Sequence, residues 1–241
     1  MKRNILSAVL TLYCLLPIAA QPLSKADSLQ IEIAQLENAL TSIQTDLQEK
    51  TLQYNWEITE KYIEYCKKLY KITNFNREPR LIQLATTIKP EELEPQRLAY
   101  EKAKKELEAL LTSYPEYITL DSLYKRAINT EQKKDRKVAL DGFYQRIYNE
   151  DKAYRPLLEK KRKAFKEHYI ACASYLLDEC KRNQEVVPEI YDYKTARILK
   201  ETDPKLHQLS IEISTLESLQ RETIRKYRAQ SYYKKVKCGK I

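Results

Sequence analysis

A chain of 241 residues that holds only two glycines, Gly142 and Gly239, has few ways to fold. Glycine averages about 7% of residues in ordinary proteins. Tight β-turns and hairpins draw on it for positive φ, so a sheet with many short reversals is hard to build here. Lys, Glu, Leu, Gln, Ala and Arg are abundant instead, and all are good helix formers. The composition predicts an all-α fold, an elongated helical bundle with long coiled-coil-like first and last helices.

The first helix has the clearest pattern. Leu29, Ile33, Leu36, Leu40, Ile43 and Leu47 follow one another in alternating steps of four and three, which is a heptad seam. The pattern reaches Tyr54, takes two further four-residue steps to Ile58 and Tyr62, and resumes through Tyr65, Leu69 and Ile72. Such a discontinuity relaxes a left-handed supercoil without ending the helix. Asp27 or Ser28 can cap its start, and Asn74 to Pro79 supplies a stop. Residues 28–73 as one helix would run roughly 70 Å, against a radius of gyration of about 17 Å for a compact chain of this size. The expected molecule is therefore elongated.

Asp203 followed by Pro204 marks the start of the last helix, an N-cap followed by proline at the first helical position. Leu206, Leu209, Ile213, Leu216, Leu219 and Ile224 follow at helical spacing. The first and last helices are expected to pack together, or one of them to pair with a partner copy. Between them the prolines suggest a short helix over Arg80–Ile88 and a second over Glu91–Ser113. A long helix is expected over Leu120–Tyr154, another over Leu157–Arg182, and a short one ending near Lys200. Within the long one, Asn129–Lys137 lacks any apolar residue and reads as a solvent-crossing helix or a hairpin tip. The many tyrosines, such as Tyr62, Tyr65 and Tyr70, recur beside Leu or Ile and are expected to bury their rings while the hydroxyl reaches a wet edge. No Gly/Ser-rich linker or fixed-period repeat divides the chain, so residues 21–241 read as a single elongated α-helical domain.

Residues 1–20 read as a signal peptide. Lys2 and Arg3 precede the apolar run Ile5–Leu16, and Ala19 and Ala20 offer a cleavage site before Gln21. The run falls at the lower edge of the roughly 20 residues a membrane span needs, and Pro17 interrupts its end. Tyr13 is too bulky for lipoprotein processing at Cys14. No second long apolar run follows, so no transmembrane segment is expected in the mature chain. The expected location is the bacterial periplasm or outside the cell, soluble or peripherally bound. The formal charge of +9 becomes +7 once Lys2 and Arg3 are removed.

The chemistry-bearing residues form few constellations. Cys66, Cys172, Cys180 and Cys238 are an even set in an oxidising compartment, hence candidate disulfides. Cys172 and Cys180 lie about 12 Å apart on one helix, beyond the roughly 7 Å a disulfide spans, so that pairing is excluded. Unpaired cysteines acting as small hydrophobes fit equally well. His168 and Cys172 have the spacing of two zinc ligands on a helix, yet nothing supplies the other two, and His207 stands alone at a helix start. No Gly-x-Ser-x-Gly elbow or glycine-rich phosphate loop is present. No catalytic residue, metal or cofactor is expected.

From Arg221 to Ile241 there are eight cations and one anion, Glu222. Arg225, Lys226, Arg228, Lys234, Lys235 and Lys237 interleave with Tyr227, Tyr232 and Tyr233 there. Lys160–Lys163 form a second cluster, and Lys133, Lys134, Arg136 and Lys137 a third. Cations among aromatics suit an anionic polymer, a lipid headgroup or an acidic protein, while a frayed, solvated helix end would look the same. Export argues against nucleic acid. The expected function is that of an exported non-enzymatic envelope protein (structural, scaffold or holdase-like). It would act by assembly with itself or a protein partner through its helical seams, and through the basic C-terminal stretch. A cell-wall-modifying hydrolase with an unrecognised helical site and a surface-recognition or adhesion module are the competing expectations.

Overall fold

The computed structural model describes residues 25–72, 78–87 and 90–237. Among them are eight α-helices and no strand: α1 Lys25–Lys68, α2 Pro79–Thr86, α3 Glu94–Thr112, α4 Pro115–Lys125, α5 Thr130–Glu150, α6 Tyr154–Asn183, α7 Tyr193–Thr202 and α8 Pro204–Lys237. The fold is all-α with long first and last helices. Residues 1–20, read above as a signal peptide, and Cys238 lie outside the described residues.

Prolines and polar caps make the helix starts that glycine-rich turns would otherwise make. Pro occupies the first or second position of α2, α3 and α4, and Pro204 opens α8. Its missing N–H is one that a helix start would leave unpaired in any case. Asn129 accepts from Gln132 N at 2.8 Å, Asp192 from Thr195 N at 2.9 Å, and Asp203 from Lys205 N and Leu206 N at 3.0 and 3.1 Å. At the end of α6, Gln184 takes the left-handed conformation (φ 55°) usually given to glycine. Glu185 N then donates to Cys180 O at 2.8 Å and Gln184 N to Lys181 O at 3.4 Å, closing the last turn.

Several expectations about helix ends and inward positions need correction. The helix expected over 120–154 is two helices, because the Asn129 cap starts α5 after a turn that follows α4. Arg136 Nη1 donates to Leu123 O and Lys133 lies 5.7 Å over the Tyr124 ring, so α4 and α5 run antiparallel and residues 126–129 are the hairpin tip. α1 stops at Lys68, short of residue 73. Lys166 Nζ donates to Lys67 O at 2.8 Å and Leu69 O at 3.1 Å, satisfying carbonyls that the helix end leaves open. The inward position near this end belongs to Cys66, which is fully buried, while Tyr65 and Tyr70 are exposed. The four-residue steps through Ile58 and Tyr62 carry on to Cys66 and do not return to the heptad. The rings of Tyr65 and Tyr70 are accordingly outside the core, whereas Tyr62, Tyr154 and Tyr169 are inside it.

The chain divides into two compact units, one formed by residues up to Glu49 and from Ile213 onward, the other by Lys50–Glu212. In the first, α1 and α8 lie antiparallel. Tyr227 Oη donates to a Glu37 carboxylate oxygen at 3.0 Å, Gln230 Nε2 to Glu32 Oε1 at 2.9 Å, and Lys234 Nζ to Gln30 Oε1 at 3.2 Å. The expected seam of α1 is the least exposed stripe there, with Ile33 and Ile43 buried and Leu29, Leu36, Leu40 and Leu47 half-buried. On α8 the expected stripe turns aside after Leu216. Leu219 is exposed, and Gln220, Thr223, Tyr227, Gln230 and Lys234 continue the alternation of four and three.

The second unit is organised along α6. One core joins its residues Tyr169, Cys172, Ala173, Leu176, Leu177 and Cys180 to Tyr62 and Cys66 of α1 and Leu81 and Leu84 of α2. The other joins Leu107 and Leu111 of α3 to Phe143 and Ile147 of α5 and Tyr154. The irregular segment after α6 is pinned to α1 by the Asn55 amide and the Trp56 indole. Asn55 Nδ2 donates to Val187 O at 3.0 Å, Val187 N donates to Asn55 Oδ1 at 2.7 Å, and Trp56 Nε1 donates to Glu185 O at 2.8 Å.

Gly142 sits inside α5, and a Cβ added there would meet nothing within 4 Å. Gly142→Ala should therefore raise the unfolding free energy by about 0.5–1 kcal/mol. Denaturant unfolding followed by circular dichroism checks it; a lower midpoint would show that the position is not an open helix face.

Candidate functional site

The basic run that opens α6 contributes to a concavity of about 310 Å³ in the second unit, lined by Lys71, Ile72, Tyr100, Leu158, Lys161, Arg162 and Phe165. Three parts of the chain position these groups. α6 projects Leu158, Lys161, Arg162 and Phe165 within two turns; α3 brings Tyr100; the residues that follow α1 bring Lys71 and Ile72. Tyr100 packs against Phe165, their ring centroids 5.3 Å apart, so the two aromatics hold each other in the wall. Arg162 donates from Nη1 to Tyr70 Oη and to Glu159 Oε1, each at 3.0 Å, and its guanidinium lies 5.3 Å over the Tyr70 ring. Lys160, the residue before Lys161, is paired with Glu106 of α3 at 2.5 Å. Lys161 is half-buried and has no hydrogen bond or ion pair among the described residues. Burial holds its ammonium below the usual lysine value, Lys104 and Arg162 push the same way, and Glu108 opposes them.

The cations of α8 are less free than their number suggests. Lys226 pairs with Glu222 at 2.8 Å and Lys234 is bonded to Gln30, while Arg225, Arg228 and Lys235 are exposed along with Tyr232 and Tyr233. Tyr227 points inward and binds Glu37. The Lys237 side chain lies outside the described residues.

Cys66, Cys172 and Cys180 are free thiols, all fully buried in the core around α6. Burial pushes the Cys66 thiol up to about 11 and the Cys172 thiol up to about 12, and it raises Cys180 as well. His168 is also buried; its ring stacks on Tyr100 with centroids 6.0 Å apart, and Cys172 Sγ is 3.8 Å from Nδ1. Burial, aided by the nearby Arg97 guanidinium, holds its imidazole below the ordinary value. His207 is exposed on α8. Among the described residues no group of three or more His, Cys, Asp and Glu side chains could hold a metal ion. No helix of the described residues is long and apolar enough to cross a membrane.

Residues 33–234 match the family described as a domain of unknown function (DUF5039). The chain belongs to that family. No curated protein and no solved structure matches it. The match covers α1 from Ile33 and α8 as far as Lys234, as well as the concavity on α6, so this DUF5039 chain carries most of its helix pair and its cationic pocket within the family region.

Sequence patterning marked the cations of α6 but missed the pocket they enter. Tyr100 and Ile72 join it only through tertiary packing, and neither lies near Lys161 in sequence.

A thiolate is the reactive form of cysteine, so burial that raises these groups far above neutral pH should silence them. With Cys14 and Cys238 changed to Ser, the native chain should withhold Cys66, Cys172 and Cys180 from a maleimide, and the denatured chain should take up three labels. Rapid labelling of the native chain, or fewer than three labels after denaturation without reductant, would contradict the buried free thiols.

Proposed function

We propose that this DUF5039 protein is an exported, non-enzymatic envelope protein that acts by assembly or binding through the α1–α8 pair. The observation that carries this reading is the mismatch between the two stripes of that pair. The α1 stripe is aliphatic from Leu29 to Leu47, whereas the less exposed positions of α8 from Gln220 to Lys234 are polar or tyrosine apart from the half-buried Ile224. In a closed two-stranded coiled coil both seams are apolar at the a and d positions. Here Leu29, Leu36, Leu40 and Leu47 stay partly exposed, an apolar edge beside a hydrogen-bonded polar one. A third helix, from a second copy or from a protein partner, would bury that edge without breaking the Tyr227–Glu37 and Gln230–Glu32 bonds.

The exposed Arg225, Arg228 and Lys235, with Tyr232 beside them, support an additional contact with an anionic surface such as a lipid headgroup or anionic polymer. Lys2, Arg3 and the apolar run before Gln21 support export to the periplasm or the outside. A hydrolase reading finds less support. His168 is enclosed by Tyr100 and Cys172 in the core, a poor position for a general base that must reach a substrate proton.

Light scattering on residues 21–241 tests the reading. A defined oligomer should form at low and at high salt, because apolar burial is not screened by ions. Changing Leu36 and Leu40 together to Ser should return the mass to that of one chain. A wild-type chain that stays at one-chain mass, and gives no adduct in cells from a photoreactive residue at the exposed position 39, would contradict it.

A further inference from the structure

The concavity on α6 is independent of the α1–α8 pair and has a chemistry of its own. Its floor and walls are apolar or aromatic: Ile72, Leu158, Tyr100 and Phe165. Its charged groups, Lys71, Lys161 and Arg162, are all cations. Glu159 is bonded to Arg162 and offsets part of that charge, but Lys161 has no bonded counter-ion, only the more distant attraction of Glu108.

A half-buried ammonium without a partner is costly, because burial removes water from the charged form and nothing replaces it. Long lysines ordinarily avoid this by extending the ammonium into solvent. Lys161 instead lies against a recess with an aromatic wall, which leaves an unfilled acceptor position beside an apolar surface. Sites for small molecules have this composition, mostly apolar lining with a few convergent polar groups, and 310 Å³ falls at the small end of their roughly 300–1,000 Å³ range.

We propose that the concavity lined by Tyr100, Phe165, Lys161 and Arg162 binds a small organic anion, a carboxylate or phosphate head joined to an apolar body. The head pairs with Lys161 and the free edge of the Arg162 guanidinium, with Lys71 at the rim adding attraction. The apolar body lies between Phe165, Tyr100 and Leu158. Bare phosphate lacks the second half of this recognition, and a neutral aromatic lacks the first.

Calorimetric titration of the purified full chain with phenyl phosphate and with phenylacetate tests this and assigns the head group. One saturating site is expected for at least one of them. Inorganic phosphate and benzyl alcohol should each bind at least about tenfold more weakly, since each keeps only one of the two recognition elements. Lys161→Met keeps the stem and removes the charge, and should weaken the anion at least about tenfold. Lys163→Met, at an exposed position two residues on, should leave affinity within about twofold. Lys161→Gln serves as a second variant if Lys161→Met shifts the melting curve. Equal affinity in wild type and both Lys161 variants, tight binding of inorganic phosphate alone, or no saturable binding of either aromatic anion would overturn the assignment.

Discussion

The burial of α6 is the interaction on which the second unit depends. Nine of its thirty residues are buried, and they fall on two stretches, Tyr154 at the start and Ala164 to Cys180 beyond. The first stretch joins the core built by α3 and α5, and the second joins the core built by α1 and α2. Each fully buried Leu or Tyr there contributes a few kcal/mol of burial free energy, of order 2–3 for a leucine side chain. One helix therefore ties together elements that are far apart in sequence. Between the two stretches, over Leu157 to Lys163, its side chains are half-buried or exposed, and there the cationic concavity opens, with Phe165 of the second stretch in its wall. Pocket and core are consequences of the same helix passing between two clusters.

The scarcity of glycine runs through the rest of the architecture. Among the described residues most helix starts and stops are made with prolines, with side-chain caps such as Asn129 and Asp192, or with Gln184 held at positive φ, and at the α5–α6 turn Ala153 N donates to Asp151 Oδ1. These devices start and stop helices, and none of them makes a hairpin of strands. The buried Asn55 amide then holds the irregular segment after α6, replacing a backbone partner for Val187 in both directions.

Much of this was legible in the sequence, and the failures have physical causes. The heptad stripe Leu29–Leu47 is local information, and it is the inward stripe of α1 in the structure. The Asp203–Pro204 start of α8 was equally local. The α8 stripe was misread because leucine at 219 looks more buried than threonine at 223. Position outweighs polarity there: Thr223 Oγ1 donates to Leu219 O at 2.8 Å, so the hydroxyl is satisfied by its own helix and can face inward. The α4–α5 turn was missed because its signal is one capping side chain inside a long polar run. The concavity was beyond any single-chain pattern, since Lys71, Tyr100 and Lys161 converge only through packing.

The proposed assembly requires α1 and α8 to close on each other within one chain and to leave the aliphatic edge of α1 for a partner. Cross-linking tests this most directly. In a chain lacking Cys14 and Cys238, Glu37→Cys and Tyr227→Cys should be joined by a short bismaleimide within a single chain, seen as a compact species of one-chain mass after denaturation. Cross-links found only between chains, or none between these two positions, would show that α1 takes its partner elsewhere and would contradict the account.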